Sequence, residues 1–160
     1  MTTPAIDRFL VAASDAGVEV AVARFPEGTR TAADAAAAIG CDLGAIVKSL
    51  VFVAEASGNS RAVMALVSGA NRADTDKLAR HFGVDTVRQA NADEARAATG
   101  FAIGGTPPLG HATPLDLVID EDLLQFAAVW AAAGTPDSVW PIDPRRLVEI
   151  TSAPVIAVKP

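Results

Sequence analysis

Two apolar, β-branched stretches in the middle of the chain decide the fold class: IVKSLVFVA (46–54) and RAVMALV (61–67). Each is long enough for a full strand and rich in residues that favour strands. The segment that joins them, EASGNS (55–60), is rich in turn-forming residues and has the length of a hairpin connection. The sequence therefore predicts a strand pair, and we expect this pair to form the centre of the sheet.

Shorter elements surround the pair on both sides. Cap and breaker residues predict helices at 4–16, 32–39, 75–82, 92–99, 121–126 and 144–150, and apolar runs predict further strands at 18–25, 86–89, 115–119, 129–132, 139–142 and 155–158. Helices and strands are interspersed without regular alternation, so the predicted class is α+β, with a mixed, mostly antiparallel sheet surrounded by short helices. We expect residues 1–160 to form a single domain.

Composition excludes several classes of protein. The chain has 160 residues, of which 51% are hydrophobic and 20% charged, and this balance is typical of a compact domain rather than a disordered chain. Its apolar runs fall far short of the ~20 residues that a bilayer span requires, and the first residues do not have the pattern of a secretion signal. Cys41 stands alone and cannot form an internal disulfide. We therefore expect a cytoplasmic protein without a membrane partner.

The net charge of −6 argues against a protein whose main affinity is for nucleic-acid phosphate. The charge is unevenly distributed, because the segment 97–144 contains six acidic residues but no lysine or arginine. The segment 61–96 instead carries six basic and five acidic residues. A polyanion would therefore prefer this middle third, and we expect it to bind weakly.

Lys48 is the first candidate for chemistry. Strand alternation places it on the same face as Ile46, Leu50 and Phe52. Burying an ammonium without a partner costs several kcal/mol, so the side chain must be paired, reach solvent, or line a cavity that takes an anionic ligand. The structural alternative is an edge-strand lysine that prevents aggregation.

A loop with three glycines and two prolines, GGTPPLG (104–110), is the second candidate. Such a loop lets a ligand come close to backbone N–H groups, which stabilise negative charge developing on a carbonyl oxygen. A rigid turn is the alternative. The prolines interrupt the glycines, and neither a Walker nor a Rossmann motif is present, so no nucleotide cofactor is predicted.

The two histidines and the cysteine lack the spacing of a metal site, so no metal is predicted. His81 falls in the last turn of a predicted helix, where a surface role is expected. His111 follows the glycine loop and would either contact a ligand or lie in solvent. Cys41 follows a helix stop, where a buried thiol is the usual outcome, and a catalytic pair of Cys41 with a histidine is the alternative.

Three segments together resemble the YbaK family, which includes the editing domain inserted in bacterial prolyl-tRNA synthetases and its free-standing relatives. They are IVKSLVF (46–52), TGFAIGGTPPLG (99–110) and VWAAAGTP (129–136). The resemblance implies a single mixed α/β domain that hydrolyses the ester joining a wrong amino acid to tRNA. It also implies action in trans, since no synthetase body is present in this sequence.

The same resemblance assigns site residues. Lys48 falls on the family's essential lysine, and Gly104 and Pro108 fall on its Gly-x-x-x-Pro loop. Lys48 would then hold the terminal phosphate or the ester carbonyl, while backbone N–H groups around Gly104, Gly105 and Thr106 bind the carbonyl oxygen as water or a substrate group attacks. Pro107 departs from the pattern and removes one N–H donor. The predicted substrate-binding residues are Ser49, Thr106, Pro108, Gly110 and His111.

The implied substrate is a small amino acid, such as alanine or cysteine, on the tRNA for proline. The acidic chain would hold the aminoacylated 3′ end weakly and transiently, with a prolyl-tRNA synthetase as a second partner and no cofactor. The alternative is a non-catalytic module that binds aminoacyl-tRNA or a synthetase.

Overall fold

The computed structural model describes residues 3–160, which form two sheets and five α-helices. A five-stranded sheet has the order β4-β2-β3-β5-β8, and a three-stranded sheet has the order β1-β7-β6. The strands are β1 (Ala23–Arg24), β2 (Val47–Ala56), β3 (Asn59–Ser68), β4 (Thr86–Gln89), β5 (Asp116–Asp120), β6 (Val129–Ala132), β7 (Ser138–Ile142) and β8 (Val155–Ile156). The helices are α1 (Pro4–Asp15), α2 (Ala32–Ile39), α3 (Thr75–Phe82), α4 (Ala92–Thr99) and α5 (Pro144–Thr151).

The β2–β3 hairpin is longer and tighter than the sequence predicts. Its strands pair along their whole length, from Val47 opposite Ser68 to Ala56 opposite Asn59. The connection is therefore only Ser57 and Gly58, with φ of 51° and 79°. Two central residues with positive φ are typical of a type I′ turn, whose twist matches that of the strands. Four of the six residues predicted as connection thus belong to the ladder.

The α+β class with a mixed, mostly antiparallel arrangement is confirmed. The β2–β3 pair occupies the middle of the larger sheet, with β4 antiparallel to β2 and with β5 parallel to β3. Four of the six strand pairings in the described chain are antiparallel. The strands form two sheets rather than one, because β7 pairs with β1 on one side and with β6 on the other.

Several element bounds needed correction. The strand predicted at 18–25 is reduced to Ala23–Arg24, the two residues that pair with β7, while Val18, Val20 and Val22 pack against the core outside any strand. The helix predicted at 121–126 is a 3-10 helix, Glu121–Gln125, and another 3-10 turn, Leu43–Ala45, was not predicted. The last strand ends at Ile156 rather than 158.

Helix ends follow the local sequence signals closely. The Thr3 hydroxyl accepts the Ile6 N–H at 3.3 Å, and Asn91 and Glu94 form a reciprocal capping box on α4. Gly40, Gly83 and Gly100 end α2, α3 and α4 with positive φ. Each N-cap bond contributes about 0.5–2 kcal/mol, so these short helices are fixed at both ends by the residues beside them.

Hydrophobic side chains form two cores on opposite faces of the larger sheet. Val47, Val51 and Val53 of β2 face the larger core, which also contains the fully buried Trp140 of β7. Phe52 and Ala54 face the smaller core, which includes residues of α3. The larger core therefore joins the two sheets. Within residues 3–160, no helix combines the length and apolar character needed to cross a membrane.

Candidate functional site

The site lies where β2 loses its partner strand. β4 pairs with β2 only from Phe52 to Glu55, and the preceding residues of β2 line a cavity of ≈ 330 Å³. Among the described residues, one isolated bridge, Ile46 to Trp130, links the residue before β2 to β6. The wall consists of residues 29–32, Ala35, 46–51, Gln89, Ala90, Ala95, Ile103, Gly104, Thr106, 130–132 and Val139.

Two hydrogen bonds show which backbone N–H and C=O groups of β2 point to this open edge. The Val51 carbonyl accepts the Ala90 N–H at 3.0 Å on the β4 side, whereas the Ile46 carbonyl accepts the Gly69 N–H at 2.7 Å on the β3 side. Because backbone groups of an antiparallel strand point alternately to its two edges, the N–H and C=O of Ser49 point to the open edge. The cavity therefore borders the main-chain N–H donor and C=O acceptor of Ser49.

Lys48 is half-buried in the cavity wall, on the face of β2 opposite to Ser49. Its Nζ donates a hydrogen bond to the Asn71 carbonyl at 2.5 Å. Burial lowers the pKa of the Lys48 amine from its ordinary value, the negative charge of Asp120 opposes this shift, and the positive charge of Arg72 adds to it. The ammonium is thus held at a fixed place by a neutral acceptor.

Ser49 lies on the same face of β2 as Val47 and Val51. Its Oγ is buried and has no hydrogen-bond partner among the described residues. A buried hydroxyl without a partner costs about 1–3 kcal/mol. Because native structures rarely keep such a group without a reason, this hydroxyl indicates a position that a ligand or water completes.

The glycine loop lines the cavity through Gly104 and Thr106 and packs closely on neighbouring segments. Gly104 has φ of 86°, and a Cβ there would lie 2.8 Å from Cγ of Arg30. A Cβ on Gly105 would lie 2.8 Å from the Cα of Thr135, so this loop packs directly on the β6–β7 connection. The Gly105 N–H donates to the Ala102 carbonyl at 3.0 Å. It therefore closes a turn instead of facing the cavity.

The predicted site residues separate into two groups. Lys48, Ser49, Gly104 and Thr106 meet in the cavity wall. Gly105, Pro108, Gly110 and His111 are not part of that wall and belong to the frame of the loop. Within that frame, the His111 Nε2–H donates to the Pro107 carbonyl at 2.7 Å, burial lowers the pKa of its imidazole, and Gly110 packs on α1 with φ of 85°.

Sequence reasoning missed Thr29 and Arg30, which enter the wall from the segment after β1. The run of polar residues before α2 was the available signal, but its position beside Gly104 depends on contacts distant in sequence. Cys41 lies outside the wall, and burial raises the pKa of its thiol, which disfavours a thiolate nucleophile. In residues 3–160 no group of three or more His, Cys, Asp and Glu side chains is placed to hold a metal ion.

A family model described as "Aminoacyl-tRNA editing domain" matches residues 26–150. The chain belongs to this family. This editing domain is 45% identical to a candidate trans-editing enzyme for prolyl-tRNA synthetase whose structure has been solved. The match covers 100% of this chain and 99% of the other, and the two structures superimpose with a TM-score of 0.91. These matches confirm the predicted family and fold.

Two curated relatives differ in how much of their own length this chain matches. A candidate Cys-tRNA(Pro)/Cys-tRNA(Cys) deacylase of Enterococcus faecalis is 27% identical over 76% of this chain and 73% of its own. A proline–tRNA ligase of Streptococcus pyogenes is 31% identical over 77% of this chain but only 19% of its own. The editing domain is thus an aminoacyl-tRNA deacylase of the kind that also occurs within a synthetase.

Proposed function

We propose that this editing domain works in trans as a hydrolase that removes a small amino acid, such as alanine or cysteine, from the tRNA for proline. The observation that carries the proposal is the cavity at the open edge of β2, which both Lys48 and the Gly104 loop line. Hydrolysis acts on the ester between the amino acid and the terminal ribose. Water adds to the carbonyl carbon, the C–O bond to the ribose breaks, and the ribose oxygen leaves with a proton.

Each wall of the cavity has its own part in this reaction. Lys48 supplies a fixed positive charge for the terminal phosphate or the ester carbonyl. The N–H groups of Gly104 and Thr106 stabilise the negative charge that develops on the carbonyl oxygen, since the Gly105 N–H is engaged by Ala102. Neither a nucleophilic side chain nor a cofactor has a role in this scheme.

The lining of the cavity suits a small side chain on the substrate. Six alanines and three valines, among them Ala35, Ala90 and Ala131, contribute to the wall around a volume of ≈ 330 Å³. A synthetase pocket discriminates between amino acids that differ by a methylene by only about 10–200-fold. Editing of small residues is therefore needed, and a small second pocket suits that task.

Ser49 should distinguish polar from apolar substrates. Its unpartnered Oγ is placed to hydrogen-bond a thiol or hydroxyl, so Ser49→Ala should lower the rate on cysteinyl- and seryl-tRNA by about 10-fold and leave alanyl-tRNA within about 2-fold. Single-turnover rates on the three substrates would measure this ratio. Ser60→Ala, at an exposed position of β3, is the matched control. Equal losses on all three substrates would exclude this role.

Arg30 and Arg72 should contact the tRNA backbone. Arg30 lies in the cavity wall and Arg72 beside Lys48, and both side chains are exposed. Replacing either by alanine should raise KM several-fold, and log KM should depend on log salt with a slope smaller by about 0.7–0.9 per lost contact. Arg145→Ala, on α5 and outside the cavity wall, is the control. An unchanged salt slope in both cavity variants would place the tRNA elsewhere.

The decisive experiment is a panel of alanyl-, cysteinyl- and seryl-tRNA, each on its cognate tRNA and on the tRNA for proline, under single-turnover conditions. We expect hydrolysis of at least one small amino acid on the tRNA for proline. No turnover on any substrate, together with measurable binding of tRNA or of a synthetase, would instead indicate a non-catalytic binding module.

The setting of the reaction follows from its substrate. Residues 1–160 act as one domain in the cytoplasm, where charged tRNA and prolyl-tRNA synthetase are present. A net charge of −6 opposes tight binding of tRNA. The contact is therefore transient and confined to the aminoacylated end.

A further inference from the structure

A chain of hydrogen bonds extends from Lys48 away from the cavity into the protein. The Lys48 Nζ donates to the carbonyl of Asn71, and the side-chain amide of Asn71 donates to Asp120 Oδ2 at 2.9 Å and to Asp122 Oδ2 at 2.7 Å. One residue thus holds the ammonium with its main chain and two carboxylates with its side chain.

Asp120 is the buried end of this chain, with 1% of its surface exposed. Its carboxylate also accepts the N–H groups of Ser68 at 3.0 Å and of Asp122 at 2.9 Å. The Ser68 hydroxyl in turn donates to the Gly44 carbonyl at 2.7 Å. Asp120 therefore ties the end of β3, and through it the turn before β2, to the end of β5.

The charges around Lys48 are few. Asp120 faces it with a negative charge and Arg72 with a positive one. Asp122 is already paired with Lys159 at 2.9 Å. Asp120 is thus the carboxylate that offsets both the burial of the ammonium and the nearby guanidinium.

We infer that Asp120 is a positioning residue for deacylation, which acts through Asn71 to hold the acceptor of Lys48 in place and keeps the ammonium charged at the cavity. The inference rests on the proposed function of Lys48. It assigns a role to two residues that do not themselves line the cavity. Without them, the lysine would lose both its anchor and its countercharge.

Two variants separate these contributions. Asn71→Ala removes the side-chain bonds and keeps the charge of Asp120, so it should lower kcat by about 10-fold and change KM by less than about 2-fold. Asp120→Asn removes the charge, so the pKa of Lys48 should fall. Activity requires the protonated amine and is therefore lost as pH rises. In Asp120→Asn this alkaline loss should occur about one pH unit lower than in the parent.

The measurement is kcat and KM from about pH 6 to pH 10, after subtraction of spontaneous ester hydrolysis. Asp116→Asn, at an exposed position of β5, is the control and should behave like the parent. An unchanged kcat in Asn71→Ala, or an unmoved alkaline limb in folded Asp120→Asn, would overturn the inference. If Asp120→Asn does not fold, Asn71→Ala decides alone. A parent without deacylase activity would instead refute the proposed function.

Discussion

Replacing Lys48 by methionine should slow single-turnover deacylation by about 10²–10³-fold, the loss typical of removing one group that stabilises a developing charge. Methionine keeps most of the aliphatic stem and removes the ammonium that donates to Asn71. The packing of β2 is therefore retained while the fixed charge in the cavity wall disappears. Rapid-quench assays with the best substrate of the panel would measure the effect.

Lys77→Met is the matched control, because Lys77 lies on α3 and its Nζ donates to the carbonyl of Lys159, away from the cavity. It should keep the parent's rate. The two variants should also have similar thermal unfolding midpoints. A Lys48→Met protein that is folded and hydrolyses its substrate at the parent's rate would remove the lysine from the mechanism.

Gly104→Ala should lower kcat/KM by about 10-fold or more, because it disturbs the loop whose backbone N–H groups stabilise the oxyanion in the proposed mechanism. Gly104 has φ of 86°, and the added Cβ would lie 2.8 Å from Cγ and 3.3 Å from the carbonyl oxygen of Arg30. A residue with a side chain loses about 1–2 kcal/mol in this conformation. The loop or Arg30 must therefore move away from the cavity wall.

Gly58→Ala separates the backbone penalty from the effect on the site. Gly58 has a similar φ of 79°, in the β2–β3 turn, and no heavy atom beyond its two chain neighbours lies within 4 Å of its added Cβ. Both variants should lose stability in chemical denaturation, but only Gly104→Ala should lose activity. Equal activities in the two variants would show that the loop does not take part in catalysis.

Local signals were sufficient to predict the hairpin, most helix ends and the position of Lys48. The β-branched residues of 46–54 strongly favour a β-strand. Helix caps such as Asn91 act on backbone groups only three or four residues away in the chain. The strand bounds depended on turn geometry that only the structure provides. The two positive φ values at Ser57 and Gly58 allowed the ladder to extend beyond the predicted connection.

The cavity itself could not be predicted in the same way. It exists because β4 stops pairing at Phe52 and because Arg30 and Gly104 meet from segments far apart in sequence. Asn71 and Asp120 gave no signal, since an asparagine in a loop and an aspartate at a strand end are ordinary features. Their role depends on the hydrogen bonds that long-range folding brings together.

The partly unpaired β2 also bears on aggregation. An open strand is a template on which another chain can add a strand of its own. Here residues 29–32, Gly104 and Thr106 line the same cavity as the open residues of β2, so an incoming strand would meet other parts of this chain at that edge. The opening that the proposed deacylation uses is thus partly covered against strand addition by a second molecule.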